Sequence, residues 1–94
     1  MDIFYRLHDF IFDRWIANWL VRYGYKHTLT GQITITFRHV ANKFRINYGY
    51  IYSHQYKIAD LIDSDERIKS KTLISDDTFM MSFDLSQKQE TQNA

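Results

Sequence analysis

Hydrophobic residues recur at spacings of three and four from the start of the chain, at Phe4, Leu7, Ile11, Trp15 and Trp19. That period predicts an amphipathic helix from Asp2 to about Tyr23. Ile3, Phe10, Phe12, Ile16 and Tyr23 widen the apolar arc until only a strip bearing Asp2, Arg6, Asp9 and Asp13 is polar. Such a helix calls for cover on most sides. At 1.5 Å per residue it would run roughly 30 Å, about the width of a small domain, so a partner surface is expected to share in covering it.

Gly24 and the polar stretch Lys26 to Gly31 read as a connection. Gln32 to Ile35 then alternates polar with β-branched residues and predicts a short strand. Thr36 is placed to cap a second helix whose apolar face is Phe37, Val40, Ala41 and Phe44. Arg45 and Ile46 make the turn, Asn47 caps a third helix, and Ile51, Ile58, Leu61 and Ile62 carry its apolar face. Asp63 to Glu66 is an acidic break. Two β-prone runs follow, Ile68 to Ile74 and Thr78 to Leu85, joined by the turn-prone Ser75, Asp76 and Asp77. These predict a hairpin. One domain over residues 1–85 and a disordered polar tail over 86–94 complete the plan.

Composition narrows the means of stabilisation. Ninety-four residues with 45% hydrophobic content suffice for one core and not two. With no cysteine, neither a disulfide nor a thiolate metal site is available. The N-terminal segment carries Asp2, Arg6, Asp9, Asp13 and Arg14, which fits neither a signal peptide nor a membrane span and implies a cytoplasmic protein. Net charge is only +1, but it is segregated. Residues 36–62 set Arg38, Lys43, Arg45 and Lys57 against Asp60 alone; residues 63–85 set three cations against six carboxylates. The basic middle points to a polyanion.

The order helix, strand, helix, turn, helix, hairpin, together with FRHVANKFRINYGYIYSHQY from Phe37 to Tyr56, resembles the winged helix-turn-helix family. Val40, Ala41, Phe44, Ile46 and Ile51 sit where that motif places its core, and the small Ala41 leaves room for two helices to cross steeply. The chain departs from the family at Arg45, where glycine is usual, and at His54, where an apolar residue is commoner. The resemblance implies an α+β fold of three helices with a small antiparallel sheet and a C-terminal hairpin wing.

It further implies a sequence-selective double-stranded DNA-binding protein, a transcriptional regulator of phage or mobile-element type. Asn47, Tyr48, Gly49, Tyr52, Ser53 and Tyr56 would face the major groove. Arg38, Lys43, Arg45 and Lys57 would neutralise phosphates, and Lys69 and Lys71 on the first wing strand would add contacts. Phosphates repel the wing tip, Asp76 and Asp77. A homodimer seam on the first helix would use Phe4, Ile11, Trp15 and Trp19. The alternative is a protein-binding module or inhibitor that docks the same scaffold onto a host protein.

Other chemistry lacks support. His8, His27, His39 and His54 are not spaced for zinc, so no metal is expected. Asp9 and Asp13 lie one helical turn apart on a strip expected to be solvated, with no partnered base or glycine-rich phosphate loop. No cofactor and no enzymatic activity are expected.

Overall fold

A computed structural model describes the backbone of residues 2–86 and the side chains of residues 8–86. The elements are α1 (Asp2–His27), β1 (Gln32–Thr36), α2 (Phe37–Phe44), α3 (Tyr48–Asp63), β2 (Ile68–Ser75) and β3 (Thr78–Phe83). The strands form one antiparallel sheet in the order β1-β3-β2, with Thr36 opposite Thr78 and Ser75 opposite Thr78. This is the expected α+β layout, three helices with a three-stranded sheet and a C-terminal hairpin. The tail expected over 86–94 lies outside the described residues except for Ser86. No helix among the described residues is long and apolar enough to cross a membrane.

The core forms where the three helices meet the inner face of the sheet. Ile16, Leu20 and Val21 of α1, Phe37 and Val40 of α2, and Ile51, Ile58 and Ile62 of α3 are buried against Phe79, Met81 and Phe83 of β3. Burial of each large apolar side chain contributes about 1.5–3 kcal/mol, so these contacts dominate the fold's stability.

Two expectations about α1 are corrected. Gly24 is not part of a connection, because the helix runs on to His27. A Cβ at Gly24 would sit 2.9 Å from Met81 and from the Phe83 ring, so glycine there lets the helix lie close against β3. The orientation of the helix also differs. Asp13, on the strip expected to be solvated, is instead taken into the interior, 1% exposed. Where nearly every position is apolar, periodicity cannot choose the inner face; Asp13 goes inside because partners await it there.

The hairpin turn needs only two residues. Asp76 and Asp77 both adopt left-handed backbone, at φ 53° and 57°, which matches the right-handed twist of the flanking strands. The turn ends level with β1. The Phe37 N–H at the start of α2 donates to the Asp77 carbonyl at 2.8 Å. One of the helix's four unpaired N-terminal donors is thereby satisfied.

Candidate nucleic-acid interface

The bend between α2 and α3 is built from three local devices. Thr36 Oγ1 accepts from the His39 N–H at 3.0 Å and starts α2. Arg45 closes α2 in the left-handed region, φ 55° and ψ 45°, and its N–H turns back to the Ala41 and Asn42 carbonyls. Asn47 Oδ1 accepts from the Gly49 N–H at 2.8 Å and starts α3. Ala41 and Ile51 are buried nearby. The small side chain at 41 allows the two helices a steep approach.

This bend turns one face of α3 outward. Asn47, Gly49, Tyr52, Ser53 and Tyr56 are exposed, Tyr56 to 71%, while Ile51, Ile58, Ala59 and Ile62 are buried on the opposite side. Arg38, Lys43 and Lys57 are exposed on the same two helices, and Arg45 is exposed at the turn between them. Lys43 Nζ lies 5.9 Å from the Trp19 ring, and the Arg38 guanidinium lies 5.7 Å from the Tyr48 ring. Both are cation–π distances.

Prior hydrogen bonds limit what some of these groups can do. Asn47 uses its acceptor as a cap, so its amide nitrogen is the atom left for a ligand, and paired donor and acceptor reading of adenine is weakened. Tyr48 is half-buried, and its hydroxyl donates to the Asp77 carboxylate at the hairpin turn. That bond, more than any other influence, raises the Tyr48 pKa. Tyr52 and Tyr56 have no such engagement of their hydroxyls among the described residues.

The strand lysines are not gathered into this face. Lys69 and Lys71 are exposed on β2, but Lys69 lies beside Gly31 and Ser82, at the end of the sheet remote from the Asp76–Asp77 turn. Six strand residues separate it from the turn, roughly 20 Å. Lys71 lies between. The register shifts between Ile68 and Ser70 and between Ser70 and Leu73 disturb the alternation there.

The sequence reading missed what fastens α3 to α1. Asp13 Oδ1 accepts from the Tyr50 hydroxyl at 2.8 Å, and its Oδ2 lies 2.8 Å from His54 Nδ1. The Tyr50 and His54 rings are stacked, with centroids 4.0 Å apart and an interplanar angle of 12°. Burial and the hydrogen bond to Asp13 push the Tyr50 pKa up. The available signal was His54 itself, a polar side chain at a position that ordinarily faces the core. It is there as a partner for a buried carboxylate.

On α1, Ile11 and Trp15 are exposed, Trp15 to 61%. Trp19 packs within its own chain, with ring centroids 5.7 Å from Phe44 and 5.9 Å from His39. The Phe4 side chain lies outside the described residues. Among the described residues no three His, Cys, Asp or Glu side chains are placed to hold a metal ion. Comparisons with family models, with curated proteins and with solved structures found no match to this chain.

Proposed function

We propose that the chain is a sequence-selective double-stranded DNA-binding protein, a transcriptional regulator of phage or mobile-element type, acting as a homodimer through α1. The observation that carries the reading is the left-handed bend at Arg45, which leaves the start of α3 outward-facing, with Arg38, Lys43, Arg45 and Lys57 exposed on α2, the turn and α3. Tyr52, Ser53 and the Asn47 amide supply hydrogen-bonding groups for base edges, and Gly49 permits close backbone approach. Arg38, Lys43, Arg45 and Lys57 supply the salt-sensitive part of the affinity.

Selection from random duplexes, followed by fluorescence anisotropy over a salt series, tests this reading. Affinity should fall steeply with salt, and Lys43→Glu should abolish it with the helical circular dichroism intact. Absence of binding to any duplex at low salt overturns it. A second reading, a module that docks on a host protein, is favoured by the exposed carboxylates of the Asp76–Asp77 turn and by the exposed Ile11 and Trp15. Its signature is retention of a protein partner by the intact chain, lost in Trp15→Ala.

A further inference from the structure

A groove of about 420 Å³ runs between α1 and α3, lined by Asp9, Phe10, Asp13, Lys57, Asp60 and Leu61. Phe10 and Leu61 give it apolar walls, and Phe10 is half-exposed. Its volume matches that of a drug-sized molecule, and apolar walls with a few polar groups are the usual makeup of a small-molecule site.

The charge of the lining selects the ligand. Among the described residues the lining holds three carboxylates and one ammonium, with Asp13 already bonded to Tyr50 and His54 and Asp9 and Asp60 left to meet a ligand. Asp60 lies in the last turn of α3, which contains no basic residue, and it forms no ion pair among the described residues. A carboxylate there adds to the negative end of the helix dipole, so the position favours a cation. Burial and the hydrogen bond to Asp13 raise the Tyr50 pKa, and the charges of Asp13 and Asp9 on the α1 side add to that. Phe10 already has the Arg14 guanidinium 5.9 Å from its ring, so this ring accepts cations within the fold. A hard divalent ion is a poor fit, since it needs several oxygens converging on one point and apolar walls offer none.

We infer that the α1–α3 groove binds a small organic cation with an aromatic or alkyl body, its charge beside Asp60 and Asp9 and its apolar part against Phe10 and Leu61. The inference stands apart from the DNA reading. Lys57 belongs both to the groove and to the outward basic set, so an occupant would also alter the charge on that face.

Isothermal titration of the full chain with tetraphenylphosphonium and with tetraphenylborate, which share a shape and differ in sign, tests it. The cation should bind saturably, one per chain, and the anion should bind more weakly. Asp60→Asn and Asp9→Asn should each weaken the cation by about two- to fivefold, as expected for partly solvated charge pairs. Lys57→Gln should strengthen it, and Phe10→Ala should weaken both ions. These positions are at the surface or its margin, and circular dichroism confirms each variant's fold. Equal affinity for the two ions, indifference to Asp60→Asn and Phe10→Ala, or no saturable heat overturns the inference. So does a dimer in sedimentation whose dissociation by dilution is required before the cation binds, which would make a second copy the occupant.

Discussion

His54 Nδ1 lies 2.8 Å from Asp13 Oδ2 and joins α3 to α1 across 41 residues of chain. With Tyr50 on the other oxygen, this carboxylate is buried yet fully partnered. His54→Ala should therefore cost about 1–3 kcal/mol, because it strips a partner from an acceptor that water cannot easily reach. Replacing Asp13 and His54 together with apolar residues should cost less than the two single changes combined. Urea denaturation of the four proteins measures both statements, and strictly additive losses would show that the pair does not act as a unit.

The raised pKa of Tyr50 has a definite sign in alkaline stability. Its hydroxyl stays protonated in the folded chain at pH values where the unfolded chain has begun to release the proton. Its contribution is present in full below about pH 10 and is lost as pH rises through the folded value. Tyr50→Phe should be less stable near neutrality, where Asp13 loses a donor, and should show a shallower decline above about pH 10. Denaturation midpoints across that range decide it; parallel curves for the two proteins would refute the assignment.

Arg45 serves two ends that a single substitution separates. In the left-handed region a residue with a Cβ costs about 1 kcal/mol or more, a cost that glycine avoids. Arg45→Gly should raise stability by roughly that amount. It should also lower affinity for duplex DNA and reduce the salt slope by about one ion. A loss of stability would mean that the arginine side chain supports the fold in a way that its exposure does not suggest.

Gly24→Ala opposes helix propensity to packing. Alanine favours a helix by about 1 kcal/mol over glycine. The new methyl would meet the Phe83 ring at 2.9 Å, and a buried ring yields less readily than the nearby Met81 terminus. Overpacking of this kind costs about 1–3 kcal/mol, so the variant should be less stable than the parent. Thermal unfolding gives the answer directly.

The features legible in the sequence were those decided within a few residues. Thr36 and Asn47 cap the helices they were expected to cap, and the two-residue acidic turn lies between the expected strands. Each depends on a side chain or backbone preference that acts over three or four positions. The inner face of α1 was not legible, because it depends on Asp13 meeting Tyr50 and His54, 37 and 41 residues away. Gly24 looked like punctuation for a similar reason: its cause, the approach of Met81 and Phe83, comes from the far end of the chain. The outward set on α2 and α3 was readable from one helical period, whereas the end of the sheet that Lys69 occupies follows from strand register.

The carbonyl of Asp77 holds the first amide of α2, and its carboxylate holds the hydroxyl at the first position of α3. A hairpin end bonded from two directions is restrained by both helices. A partner that met this surface as proposed would find a contour already set during folding, so selectivity would draw on fit more than on adjustment after contact.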